Sequence, residues 1–160
     1  MIEFLSGAAP LQKDTREFFM GINCYINNCY GLSETTGGIS GLLPHQKHLY
    51  FVKSCGIPLD VSECRIDPET SEIQFRSRTC FMGYLNQKEK TLKVKTKDNY
   101  FKTGDMGMIN ETGNLFIIGR IKEILVTAGG ENVAPYPIEN RVMKEISDFA
   151  SWAVAIGDGR

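Results

Sequence analysis

A chain of 160 residues with 18 Lys and Arg against 19 Asp and Glu carries a net charge of −1. That length suits one ordinary domain, or a domain and a half, with a core of real size, and the even balance excludes the basic surplus usual in nucleic-acid binding. The 5 cysteines (Cys24, Cys29, Cys55, Cys64 and Cys80) are odd in number and form no CxxC pair, which favours free, mostly buried thiols in a reducing compartment over a disulfide framework.

No apolar run reaches the ~18 residues of a membrane span, and the start, MIEFLSGAAPL, lacks the basic and apolar regions of a secretory signal. Ser6 to Leu11 (SGAAPL) reads as a small-residue loop. Such a loop lets the backbone approach a flat ligand closely, or simply turns a strand into a helix. Pro10 starts a segment in which Phe18, Phe19 and Ile22 share one side of a short helix ending near Gly21. Cys24 to Cys29 reads as a short buried strand leading to Tyr30. The next run, YGLSETTGG from Tyr30 to Gly38, sets an aromatic face, a carboxylate and several hydroxyls close together. Those groups suit magnesium shared with substrate phosphates, and equally a polar turn with helix-capping chemistry. His45 and His48 have a metal-like spacing but no evident third ligand, so a polar loop is favoured there.

From Ser54 to Tyr84 the pattern turns to short β-type segments: 57–59, 61–66 and 72–76. Glu72 to Arg76 alternates with period two, as a half-exposed strand does. Gln87 to Lys102 is rich in lysine (Lys88, Lys90, Lys93, Lys95, Lys97, Lys102). A basic face of this kind suits contact with an anionic membrane. Glu89 and Asp98 among the lysines favour a solvated helix and loop instead.

The stretch from Tyr100 to Glu139 is the densest in signals. Thr103-Gly104-Asp105 places a carboxylate on a tight turn. Asn110 to Asn114 (NETGN) predicts a hairpin loop between Met108-Ile109 and 115–118. Gly119-Arg120 delivers a permanent cation able to pair with hydroxyls or phosphate. Ile124 to Val126 reads as a strand, Gly129-Gly130 as a flexible turn, and Pro135 and Pro137 flank the start of an amphipathic helix over 138–146 with Val142 and Ile146 inward. Trp152 to Ile156 (WAVAI) reads as one more buried strand.

Taken in order, YGLSE, FMGYLN, TGD and the run GRIKEILVTAGGENVAP resemble the AMP-forming acyl-CoA synthetases of the adenylate-forming superfamily. The last run is most similar to the long-chain fatty acid "bubblegum" branch. The resemblance covers nearly the whole chain and implies an α/β fold: residues 1–119 as the late part of the large nucleotide-binding domain, a sheet plus a distorted β-barrel, 120–122 as a hinge, and 123–160 as the incomplete beginning of the small α+β C-terminal domain. It implies roles as well. Gly7, Ala8, Ala9 and Pro10 would line the adenine pocket, with Tyr30 packed on the adenine and Gly31 beside it. Glu34 would help hold magnesium and Thr35 would touch phosphate, which makes them the candidate catalytic pair. Asp105 would accept hydrogen bonds from the ribose hydroxyls, Arg120 would reach the nucleotide, and Lys122 would serve as the hinge. Gly129 and Gly130 would line the path of the CoA pantetheine thiol. Two positions depart from the family pattern: Ser71 replaces a Gly, at a cost on the order of 1 kcal/mol if its backbone is forced into a Gly-type conformation, and Asp60 stands where a Pro-Gly turn is usual.

The function so implied is ATP-dependent fatty acid:CoA ligation through an acyl adenylate, with fatty acid, ATP, Mg2+ and CoA as reactants and cofactor. An adenylating enzyme for another carboxylic acid shares the same nucleotide motifs. The family's Gly-rich phosphate loop with its Lys and its C-terminal catalytic Lys have no match in this sequence. Removing one such donor commonly costs about 100- to 1000-fold in rate, so the 160 residues alone are expected to be catalytically silent. A truncated paralogue that at most binds a partner or nucleotide weakly is the expectation of a different class. The expected location is the cytoplasm, with peripheral association at the cytosolic face of the endoplasmic reticulum.

Overall fold

A computed structural model describes residues 4–9, 11–42, 52–127 and 129–157. Pro10, His45 and His48 lie outside the described residues. The chain begins with β1 (Phe4–Ser6), then α1 (Lys13–Gly21) and β2 (Ile26–Asn28), and β2 lies parallel to β1. The helix between them makes this a small βαβ crossover. The predicted strand at 24–29 is shorter than expected, and half-buried.

β3 (Tyr30–Leu32), β4 (Gly37–Gly41) and β5 (Ile57–Pro58) form a three-stranded antiparallel sheet. β6 (Ser62–Ile66), β7 (Glu72–Ser77), β8 (Phe101–Ile109) and β9 (Leu115–Arg120) form a four-stranded antiparallel meander. The short helix α2 (Lys88–Lys93) is inserted between β7 and β8. A last hairpin, β10 (Leu125–Val126) with β11 (Asn132–Val133), leads into α3 (Pro135–Ile146).

The core sits where the three- and four-stranded sheets meet. Tyr30, Ile39, Cys55, Ile73, Phe75 and Leu115 form one buried cluster, with Cys64, Ile66 and Ile109 packed against it. Backbone bonds stitch the two sheets together: Cys55 N donates to Leu115 O (2.8 Å) and Leu115 N donates to Gly56 O (2.8 Å).

The NETGN hairpin forms as predicted. Gly113 takes φ +79, and Asn110 Oδ1 accepts from the backbone N–H groups of Thr112 and Asn114. α3 begins at Pro135, three residues before the predicted start, because proline's fixed φ suits the first helical position.

Other expectations need correction. Thr103-Gly104-Asp105 is not a tight turn but a bulge inside β8. Glu72 pairs with Met106 and Gln74 with Lys102, so β8 spends Thr103, Gly104 and Asp105 opposite the single residue Ile73. Gly104 at φ +75 permits the extra residues. β7 is not half-exposed: Glu72, Ile73, Gln74 and Phe75 are all buried. A strand flanked on both edges hides both faces when its polar side chains find partners. Glu72 Oε1 accepts from Gly104 N (2.9 Å), while Gln74 accepts from Arg65 Nε (2.8 Å) and donates to Asp67 Oδ2 (3.1 Å).

In α1 the buried residue is Arg16, which donates to Ser54 O (3.1 Å) and Ile26 O (3.3 Å), while Phe18 and Ile22 lie on the exposed side. Val142 is likewise exposed rather than inward. Trp152–Ile156 forms no strand. Trp152 is 76% and Ile156 89% exposed, and the segment is held by Ala155 N donating to Glu139 Oε1 (3.0 Å). A short apolar run becomes a strand only where a neighbouring strand completes its ladder. The five thiols are free, as expected, but only Cys55 is fully buried.

Candidate nucleotide site

Two groups of predicted residues meet at the carboxyl ends of the parallel pair β1–β2, the end of an α/β sheet where ligands usually bind. The loop Gly7–Ala9 follows β1, and Tyr30 follows β2 by two residues. They are adjacent: Cys29 N donates to Ser6 O (2.7 Å), and a Cβ on Gly7 would stand 3.4 Å from Cys29 O. Ala8 holds φ +67, a conformation costly for a residue with a side chain. Gly31 is required sterically, since a Cβ there would lie 2.0 Å from Gly37 O on the neighbouring strand.

Tyr30 links this end to the β8 bulge. Its ring is 7% exposed and packs against Phe75 with centroids 6.1 Å apart. Its hydroxyl donates to Asp105 Oδ2 at 2.5 Å. Burial, then the hydrogen bond to Asp105, pushes the Tyr30 phenol well above its ordinary range, so it stays a donor. Asp105, 6% exposed, faces Arg120 directly across β8 and β9. Arg120 Nε lies 3.5 Å from Asp105 Oδ1, yet 65% of its side chain is exposed. A nearly buried carboxylate thus meets one phenol and one guanidinium that still faces solvent. That set can accept from a diol on the carboxylate and offer a cation to phosphate.

Glu34 and Thr35 occupy a 3₁₀ turn, Ser33–Thr35, directly after β3. Thr35 is fully buried, and its hydroxyl accepts from Leu32 N (2.9 Å) and lies 2.8 Å from Gly37 O. That hydroxyl is therefore engaged in holding the turn. The exposed hydroxyl next to Glu34 in the chain is that of Ser33, to which the resemblance gave no separate role. Glu34 is half-buried, and its Oε1 accepts from the Tyr84 hydroxyl at 2.7 Å. Lys122 sits in the exposed 3₁₀ turn Ile121–Glu123 immediately after Arg120. Gly129 and Gly130 lie in the β10–β11 turn, where a Cβ on Gly130 would meet nothing within 4 Å.

Among the described residues no cluster of three or more His, Cys, Asp or Glu is arranged to hold a metal. A single carboxylate nevertheless fits magnesium, which takes one or two carboxylates and draws its other ligands from water and phosphate. The donor set around Glu34 is compatible with that mode.

The family model "AMP-binding enzyme" matches residues 2–85. This chain belongs to the AMP-binding enzyme family. It is 41% identical over 159 residues to the long-chain-fatty-acid–CoA ligase ACSBG2 of Gallus gallus, covering 96% of this chain and 20% of the relative. It is 39% identical over 159 residues to the long-chain-fatty-acid–CoA ligase heimdall of Drosophila melanogaster, covering 98% of this chain and 23% of the relative. Among solved structures, ATP-bound MatB from Rhodopseudomonas palustris superposes with a TM-score of 0.76 at 30% identity, covering 88% of this chain and 29% of that one. The fold is thus the mixed α/β architecture that this chain shares with part of MatB, and the chain spans about a fifth of the length of the curated relatives it matches.

Proposed function

We propose that this chain contributes nucleotide-handling residues of an AMP-forming long-chain fatty acid–CoA ligase. The observation that carries the reading is the convergence of Tyr30, Asp105 and Arg120 beside the strained Gly7–Ala9 loop, in a chain similar to long-chain-fatty-acid–CoA ligases. In this reading Asp105 accepts hydrogen bonds from the ribose hydroxyls and the exposed Arg120 guanidinium reaches the nucleotide. Gly7 to Pro10, Tyr30 and Gly31 border the adenine. Glu34 holds magnesium together with phosphate oxygens, and Thr35 shapes the turn that presents it. When bound, the cation would neutralise charge on the triphosphate. The fatty acid carboxylate attacks the α-phosphorus to give acyl adenylate and pyrophosphate, and the CoA thiol then takes the acyl group with release of AMP.

The proposed organisation keeps 1–119 in the large domain, 120–122 as hinge with Lys122, and 123–160 at the start of the small domain, where Gly129 and Gly130 border the thiol path. The location that goes with a long-chain acid is the cytoplasm, with peripheral contact at the cytosolic face of the endoplasmic reticulum. Titration calorimetry with magnesium–ATP tests the reading. Saturable binding that is lost in Asp105→Ala supports it, and no heat from a folded sample overturns it for the isolated chain.

A further inference from the structure

The segment 79–84 straps the turn that carries Glu34. Phe81 N donates to Glu34 O (2.8 Å), Thr36 Oγ1 donates to Thr79 O (2.8 Å), and the Tyr84 hydroxyl donates to Glu34 Oε1 (2.7 Å). The backbone at both ends of this contact is therefore fixed before any ligand arrives.

The Tyr84 ring is itself held. Phe81 meets it edge-on with centroids 4.8 Å apart, and Phe81 in turn meets Phe101, the first residue of β8, at 5.7 Å. Lys90 Nζ stands 4.3 Å from the Tyr84 ring centroid. Tyr84 N donates to Thr91 Oγ1 (2.9 Å), which ties the residue to α2. The Tyr84 phenol thus reaches across 50 residues of sequence to a single carboxylate oxygen.

We propose that Tyr84 is a positioning residue for Glu34: its hydroxyl holds Oε1 so that the other carboxylate oxygen is presented to the cation of a metal–nucleotide. This rests on the reading of Glu34 as the magnesium carboxylate. A free glutamate side chain must surrender its rotamer freedom on binding, whereas this one is already oriented. Partners that orient a metal ligand are worth about 10- to 100-fold in metal affinity or activity.

The test measures ATP affinity of the chain with magnesium and with EDTA, for the wild type, Tyr84→Phe, Glu34→Gln and the double variant, with circular dichroism confirming the fold. Tyr84→Phe is expected to weaken magnesium–ATP by about 10-fold or more and to leave metal-free ATP within about 2-fold. Because Tyr84 acts through Glu34, the double variant should bind no worse than Glu34→Gln alone, whereas a purely structural tyrosine would add its own loss. Wild-type magnesium dependence in Tyr84→Phe, with Glu34→Gln impaired, overturns the proposal and leaves the role of Glu34 standing. An unimpaired Glu34→Gln, or a wild type that binds no magnesium–ATP, overturns both.

Discussion

The Tyr30–Asp105 hydrogen bond is the contact on which the candidate site turns, and Tyr30→Phe removes it almost without changing volume. Both partners are nearly buried, 7% and 6% exposed, and the acceptor is a carboxylate. Hydrogen bonds to charged groups contribute about 1.5–3 kcal/mol, and a buried acceptor stripped of its donor bears its own desolvation cost. Arg120 compensates poorly, since it stands 3.5 Å away on a side chain 65% exposed. The expected loss is therefore about 1.5–3 kcal/mol, or about 3–12 °C in Tm for a domain of this size. Urea unfolding of wild type, Tyr30→Phe, Asp105→Asn and the double variant measures the coupling directly. A loss below about 0.5 kcal/mol, or strictly additive single effects, would refute the reasoning and make the phenol a bystander.

Three further outcomes are expected. Ser71 holds φ +57 in the turn before β7, so Ser71→Gly should raise stability by about 0.5–1 kcal/mol, seen as a higher urea midpoint at unchanged slope. Gly31→Ala drives a methyl group to 2.0 Å from Gly37 O on β4, and should cost about 3 kcal/mol or more, seen as loss of cooperative unfolding or of soluble protein. Hydrogen bonds from Arg65 first, then Thr96, hold the Asp98 carboxyl down at about 2 from an ordinary 3.8. A depressed carboxyl stabilises the fold above its unfolded pKa, so this contribution is complete above pH 3.8 and fades as pH falls through about 2. An acid titration should show a small, salt-sensitive component in that window, because the pair is exposed, and Asp98→Asn should abolish it.

Local chemistry made several elements legible. NETGN predicts its hairpin because Asn110 bonds its own turn and Gly113 accepts a positive φ. Pro135 marks the start of α3 within a turn. Ser71 announces strain because a glycine-type position was filled by a residue with a Cβ, and the structure holds it at φ +57. The half-exposed reading of 72–76 went astray because period-two alternation describes a side chain's direction and not what stands opposite it. The strand predicted at 152–156 went astray because a short apolar run does not say whether a neighbouring strand is there to pair with it.

The sequence by itself determined which residues are candidates for the site: a tyrosine, two carboxylates and an arginine set among glycines, in an order that points to one family. Tertiary structure alone decided how they combine. Tyr30 and Asp105 stand 75 residues apart, and Glu34 and Tyr84 stand 50 apart. Their contacts depend on sheet register, on a bulge that turns Asp105 toward Tyr30, and on a strap threaded between β7 and α2. Propensity acts over a few residues, whereas a hydrogen bond between distant side chains exists only after the intervening strands have paired.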